Sequence, residues 1–216
     1  MRPNTKRNLT VAALSGVIAV ACAWIYFAQT RSAAHNVALH RRIGEIMAEQ
    51  TAALIGKKGK VVTIAIESKE WPELKTQLES FQAALKKLGS FEVRTYEMDT
   101  KDQPKYGVGS GLSWRRYVRT VKKNEEADVF VSFVGAPKIT DEDVAALEKA
   151  PRFIAESRST DNLPKLFQKK LLHVAVVSRY QFPAPGPENP VTPDEWFNKR
   201  YQIVKAEGVA NLQATE

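Results

Sequence analysis

The sequence has little of the chemistry that enzymes and metal sites use. Its 216 residues include one cysteine and three histidines, which excludes a disulfide framework and disfavours a zinc site. None of the patterns G-x-S-x-G, H-E-x-x-H or C-x-x-C occurs. We therefore expect neither a metal nor a cofactor, and the sequence favours a binding protein over an enzyme.

The positive charge is unevenly distributed along the chain. The formal net charge is +8 at pH 7, but residues 1–58 carry eight Lys or Arg against two Glu, while residues 59–216 carry 24 against 22. Nucleic-acid binding draws its affinity from a clustered basic surface. Because the excess lies beside an apolar segment instead, the sequence predicts no nucleic-acid partner.

The apolar segment is "LTVAALSGVIAVACAWIYF", Leu9 to Phe27, and it contains no charge. At 1.5 Å per residue, about 20 residues cross the hydrocarbon core of a bilayer. We predict a cytoplasmic tail over 1–8 and a transmembrane helix over 9–29, with the aromatic end "WIYF" at the interface. A signal peptide cleaved after "ACA" and a lipoprotein modified at Cys22 are the alternatives.

The basic residues of the short N-terminal tail favour a cytoplasmic N-terminus. The sequence then predicts a single-pass protein of the inner membrane, with the lipid bilayer as one partner and the C-terminal domain in the periplasm.

An amphipathic helix is predicted for the stalk, residues 30–58. Leu39, Ile43 and Met47 recur on one face of a 3.6-residue period. This face either packs on the chain's own domain or binds a protein partner or a second copy. His35 and His40 are five residues apart, a spacing that does not favour a metal site.

Alternating strands and helices follow over 60–180. Apolar runs such as "KVVTIAI" and "DVFVSFVG" are typical of central strands, whereas "FEVRTYEM" alternates with period two and is predicted as an edge strand. Two further strands, "RFIAES" and "LLHVAVVS", complete five. The pattern indicates an α/β three-layer sandwich with a five-stranded, mainly parallel sheet.

This order of segments resembles one lobe of the type I periplasmic binding proteins and, more broadly, flavodoxin-like domains. The resemblance rests on "VVTIAI", the helix ending in "LKKLG", the strand "FEVRTYEMD" and the later "EEADVFVSFVGAP". It implies the strand order 2-1-3-4-5 and ligand contacts at the carboxyl ends of the strands.

The glycine-rich stretch "YGVGSGLSWRR" follows the second strand, not the first, and its spacing fits neither the dinucleotide-binding nor the Walker pattern. We interpret it as a flexible connection in which Ser110 or Ser113 caps the next helix. An anion held at this helix start by Arg115 and Arg116 is the alternative.

The remaining ligand-binding candidates follow the predicted strands. Their common feature is a polar or small side chain at a strand end, as in Ser68, Gly135, Arg158 and Arg179. Acidic residues near strand ends, Glu67, Asp99 and Glu156, form no phosphoryl-transfer set and are interpreted as solvated. His173 is interpreted as a packed or edge residue.

A proline-rich linker over 181–192 precedes a helix over 193–206. Thr192 and Glu195 form a capping-box pattern around Pro193. Trp196 and Phe197 make this helix too apolar for a free tail, so it either covers the domain or binds a partner.

Two functions from different classes are consistent with these features. The first is a membrane-anchored, non-enzymatic binding or assembly subunit. The alternative is a small-ligand sensor or enzyme, for an anion or a sugar-like molecule, with its site at the carboxyl ends of the strands.

Overall fold

The computed structural model describes residues 15–24, 36–66, 71–98, 112–140, 151–179 and 192–212. The chain divides into two compact units, Met1–Asn36 and Val37–Glu216. Each is described separately below.

The described part of the first unit is helix α1, residues 15–24. Its large apolar side chains, including Val17, Ile18 and Trp24, are exposed. Among the described residues, no helix is both long enough and apolar enough to cross a membrane. Positions 9–14 and 25–29 of the predicted span lie outside the described residues.

The second unit is built on a six-stranded sheet. The strands, in chain order, are β1 Lys58–Ile66, β2 Ser90–Met98, β3 Val129–Ser132, β4 Arg152–Ser157, β5 Val174–Ser178 and β6 Tyr201–Val204. Their order across the sheet is β2-β1-β3-β4-β5-β6. The first five strands pair in parallel, and β6 pairs antiparallel with β5.

In the described part of the domain, five α-helices and one 3₁₀ helix accompany the sheet. They are α2 Val37–Ile55, α3 Pro72–Leu88, α4 Trp114–Lys123, α5 Leu163–Gln168, α6 Pro193–Arg200 and the 3₁₀ helix Ala206–Asn211. Phe81 of α3 contacts Phe133 edge-on at 5.4 Å, and Tyr117 of α4 contacts Phe153 at 4.8 Å. Phe153 is opposite Phe130 in the register, and Phe133 continues β3 by one residue, with its backbone N–H donating to Ile64 O at 2.9 Å. Since side chains alternate along a strand, Phe133 and Phe153 lie on opposite faces of the sheet, and α3 and α4 cover opposite faces.

The parallel α/β architecture agrees with the sequence prediction, and the first five strands have the predicted order. β2 lies at the edge, and its side chains alternate between exposed and half-buried as far as Arg94. β1 and β3 are interior strands with continuous buried runs, as their apolar sequences predict.

The sheet has six strands where the sequence predicts five. The helix predicted over 193–206 is shorter than expected. The capping box of Thr192 and Glu195 forms as expected, but α6 ends at Arg200. Residues Tyr201–Val204 then pair with β5, because its free edge offers unpaired backbone groups.

Of the two interpretations of the stalk face, the structure shows the first, in which it packs on the chain's own domain. Leu39, Ile43 and Met47 are 7%, 0% and 0% exposed, within the core of the chain's own domain. α2 packs beside α3, because Gly44 has no side chain to separate the two backbones. A Cβ at Gly44 would lie 2.2 Å from the carbonyl oxygen of Gln77.

The C-terminal helix packs on the same domain. Phe197 is 3% exposed and stacks on Tyr201, with ring centroids 5.8 Å apart. Trp196 is partly buried against the core. These two residues therefore cover the domain, which is the other interpretation given for them.

The boundary predicted between stalk and domain also shifts. α2 belongs to the compact unit that starts at Val37, so the domain begins about 20 residues before the predicted start at residue 60. Residues 181–191 of the predicted linker over 181–192 lie outside the described residues.

Candidate functional site

The carboxyl ends of the parallel strands meet at one edge of the sheet. β4 ends at Ser157 and β5 at Ser178. Because β6 is antiparallel, its first residue lies at this same edge, with Tyr201 opposite Ser178. In open α/β sheets, ligands bind in the crevice outside the carboxyl ends of the strands.

Glu156 is a buried carboxylate at this edge. It is 2% exposed, and its Oε1 has no hydrogen-bond partner among the described residues. Burial raises the pKa of Glu156 to about 7, against a smaller lowering effect of the Arg158 charge. A buried polar atom without a partner costs free energy, so Glu156 needs either a proton or a ligand here.

Tyr201 lies on the same face of the sheet as Glu156. Glu156 is opposite Val176 in the register, and Val176 is opposite Ile203. Since side chains alternate along a strand, Tyr201 shares the face of Ile203. Burial is the larger cause that raises the pKa of the Tyr201 phenol, and the negative charge of Glu156 raises it further. The two groups therefore interact electrostatically.

Three further charges act on Tyr201. Arg158 and Arg200 favour its ionised form, and Glu73 in the first turn of α3 disfavours it. We call the set of Glu73, Glu156, Arg158, Arg200 and Tyr201 the carboxyl-edge cluster. It combines two carboxylates, two guanidinium groups and one phenol on α3, β4, the residue after β4, α6 and β6.

The turn after β3 is held by Ser132. Its Oγ donates to the carbonyl oxygen of Gly135 at 2.7 Å and accepts from the backbone N–H of Val134 at 3.3 Å. Gly135 has φ +97°, a value that L side chains rarely adopt. The glycine therefore lets the chain turn sharply where β3 ends.

The start of α4 lies beside this turn. Ser113 forms a β-bridge with Lys138, whose backbone N–H donates to the carbonyl oxygen of Leu112 at 3.3 Å. Trp114 and Tyr117 follow, with ring centroids 5.4 Å apart. Trp114 Nε1 and Tyr117 Oη are buried and, among the described residues, lack hydrogen-bond partners.

The structure places most of the predicted site residues at the carboxyl edge. Arg158 and Arg179 follow β4 and β5 directly and are exposed, Gly135 follows β3, and Arg115 and Arg116 lie in the first turn of α4. Their binding role stays a prediction.

Other predictions for this edge fall on residues that the structure does not describe. These are Ser68, Ser110 and the glycines of the 107–111 stretch. Ser113 does occupy the N-cap position of α4, but its side chain makes no capping hydrogen bond.

Sequence reasoning missed Glu156 and Tyr201. The sequence alone suggests a solvated Glu156, yet this residue lies two positions after Ile154 on a strand buried on both faces. An acidic residue at an inward position of such a strand was the available signal. Tyr201 was assigned to a helix, so its position at the sheet edge could not be inferred.

His40 serves the packing of two helices. His40 Nδ1 accepts a hydrogen bond from Gln77 Nε2 at 3.0 Å, across the α2–α3 contact. Among the described residues, no group of three or more His, Cys, Asp or Glu side chains is arranged to hold a metal ion.

No family model matches the sequence, and no curated protein matches it. Solved structures do share the fold. AraP, an arabinose-binding protein from Geobacillus stearothermophilus, is 14% identical over 81% of this chain and 63% of that chain, with a TM-score of 0.56. The sugar-binding protein of a sugar ABC transporter from Bacillus halodurans is 14% identical over 81% of this chain and 64% of that chain, with a TM-score of 0.56.

These similarities confirm the predicted resemblance to type I periplasmic binding proteins at the level of the fold. The chain spans less than two thirds of the length of either structure, at 63% and 64%.

Proposed function

We propose that the domain binds a small, neutral, sugar-like ligand at the carboxyl-edge cluster and releases it unchanged. The observation that carries this proposal is Glu156, a buried carboxylate whose Oε1 has no partner among the described residues. A ligand hydroxyl that donates to this oxygen would satisfy it.

The charge balance of the cluster favours a neutral ligand over an anion. Glu73 and Glu156 offset Arg158 and Arg200 within the same small region. An anion would gain from the guanidinium groups but would meet the buried carboxylate. A polyol donates to carboxylates and accepts from guanidinium and phenol groups at once, and so it fits both kinds of partner.

Two comparisons support the sugar-like class. The neighbours with the same fold are an arabinose-binding protein and a sugar-binding protein of an ABC transporter. In this chain Tyr201 also brings an aromatic side chain to the carboxyl edge. Aromatic surfaces beside a few convergent polar groups are typical of small-molecule sites.

The proposal also includes a location. The uncharged run from Leu9 to Phe27 anchors the chain in the inner membrane, with the domain in the periplasm. An anchored domain meets its ligand, or a protein partner, at the membrane surface, which raises the local concentration of both. The partner surface is not the apolar face of α2, because that face is buried.

The test is calorimetric titration of the full chain, in mild detergent at pH 8, with pentoses and hexoses. Glu156→Gln and Arg158→Ala should each weaken binding about tenfold, which is the loss expected for one charge-assisted hydrogen bond. Glu125→Gln is the matched control, because Glu125 is exposed in the turn between α4 and β3.

Two results would contradict the proposal. One is the absence of heat with every sugar, and the other is equal affinity for the Glu156→Gln variant and the unmodified chain. Location is tested separately by protease treatment of spheroplasts, which should degrade the domain from outside while an N-terminal tag stays protected.

A further inference from the structure

A depression lies at the opposite edge of the sheet from the carboxyl-edge cluster. It has a volume of about 330 Å³, within the range of roughly 300–1,000 Å³ that small-molecule sites occupy. It lies where β5 begins, beside the last turn of α2, the turn after α5 and the segment after β6. We call it the amino-edge groove.

The floor of the amino-edge groove is apolar. Its apolar lining residues come from α2, α5, the segment from there to the start of β5, and the 3₁₀ helix, and they are Ala53, Leu54, Phe167, Leu172, Val174 and Ala206. Phe167, Leu172 and Val174 are themselves buried, so the groove is a recess in the core surface. An apolar part of a ligand would gain free energy by covering this floor.

The rim of the groove is positively charged. Lys170 and Lys205 line it, against one carboxylate among the lining residues, Glu207. Arg152 adds to this potential, since its charge, after the larger effect of burial, lowers the pKa of His173. The groove therefore favours a negatively charged group.

His173 is held in one orientation at the groove. The backbone N–H of Phe153 donates to His173 Nδ1 at 3.3 Å, and the backbone N–H of His173 donates to the carbonyl oxygen of Phe153 at 2.9 Å. In the neutral ring, the remaining proton is then on Nε2. His173 thus adds an N–H donor to the two lysines.

Lys170 has an unusual backbone conformation. Its φ is +56°, in the left-handed region. The N–H of Lys170 donates to Phe167 O and the N–H of Leu171 to Leu166 O, both at 2.9 Å. These two bonds form the Schellman motif, whose left-handed position is usually glycine. A lysine there costs about 1 kcal/mol, and such strain is concentrated at functional sites.

We propose that the amino-edge groove binds a small organic carboxylate. Its apolar part covers Leu54, Phe167 and Leu172, and its carboxylate pairs with Lys170 and Lys205. This site is separate from the carboxyl-edge cluster and does not depend on the function proposed for that cluster.

The test uses benzoate as the probe and benzamide as its neutral counterpart. Calorimetry on the full chain in mild detergent should show that benzoate binds and that benzamide binds at least tenfold more weakly. Lys170→Gly and Lys205→Gln should each weaken benzoate binding about tenfold. Lys170→Gly keeps the fold, because glycine suits the left-handed position.

Two controls locate the effect. Lys169→Gln changes a neighbouring exposed lysine that does not line the groove, and Glu156→Gln changes the opposite edge of the sheet. Both should leave benzoate affinity unchanged. The proposal is overturned if benzoate does not bind, if benzamide binds equally well, or if Lys170→Gly and Lys205→Gln retain full affinity.

Discussion

Arg42 and Asp194 join two segments that are more than 150 residues apart in the chain. Arg42 Nε on α2 donates to Asp194 Oδ1 on α6 at 2.6 Å. The same guanidinium group also pairs with Glu49, through Nη1 at 2.7 Å. The helix predicted as a stalk and the predicted C-terminal helix are therefore parts of one domain.

We expect this ion pair to contribute little to stability. Asp194 is exposed, and exposed ion pairs typically contribute below about 1 kcal/mol. Asp194→Asn should lower the free energy of unfolding by less than that amount, and high salt should remove the difference. Urea titration at low and high ionic strength measures the difference in the free energy of unfolding between the variant and the unmodified chain. A difference above about 2 kcal/mol would contradict this account.

The contact between α2 and α3 should matter more. Gly44→Ala places a Cβ at 2.2 Å from Gln77 O and 2.1 Å from Ser80 Oγ, so one helix must move. We expect a loss of about 1–3 kcal/mol in the free energy of unfolding. Gly208→Ala is the matched control, because nothing lies within 4 Å of its added Cβ. Equal stability of the two variants would show that α2 does not pack on α3.

Glu156 should make stability depend on pH. Burial raises its pKa from 4.5 to about 7. Between these values the folded chain keeps a proton that the unfolded chain has released. Stability is therefore lost as pH rises through this window, by up to about 3 kcal/mol. Glu156→Gln should remove this loss and be the more stable form at pH 8.

Chemical denaturation at pH 5 and pH 8 measures this difference for both forms. Glu125→Gln is again the control and should follow the unmodified chain. A Glu156→Gln variant that loses as much stability as the unmodified chain between these pH values would show that Glu156 is not the responsible group.

Lys170→Gly should stabilise the domain. Glycine reaches φ +56° without the steric cost that a Cβ causes, so the midpoint of urea unfolding should rise, by about 1 kcal/mol in free energy. Lys169→Gly is the control and should be destabilising, because Lys169 has φ −83°. A Lys170→Gly variant less stable than the unmodified chain would contradict the left-handed assignment.

The sheet was largely predictable because its signals are local. The buried runs of β1 and β3 and the alternation of β2 follow directly from apolar and polar residues in the sequence. β6 was not predictable in this way. Tyr201–Val204 is four residues long and directly follows a well-capped helix, and only pairing with β5 makes it a strand.

The partner of an amphipathic helix is also not encoded locally. The periodicity of α2 indicated a buried face, but not which surface buries it. Gly44, next to Ile43 on that face, was the one signal of a close helix contact. For the candidate site, the edge of the sheet was predicted, but the burial of Glu156 depends on strands and helices far away in the sequence.

The central claim is that a sugar-like ligand binds at the carboxyl edge. Amide chemical shifts of the isotope-labelled chain in detergent, followed during titration with the tightest-binding sugar, test it most directly. The account predicts that the largest chemical-shift changes occur at the amides of Gly135, Glu156, Arg158 and Tyr201. The amide shifts around Lys170 and His173 should not change. Changes concentrated at the amino edge, or no changes at either edge, would contradict it.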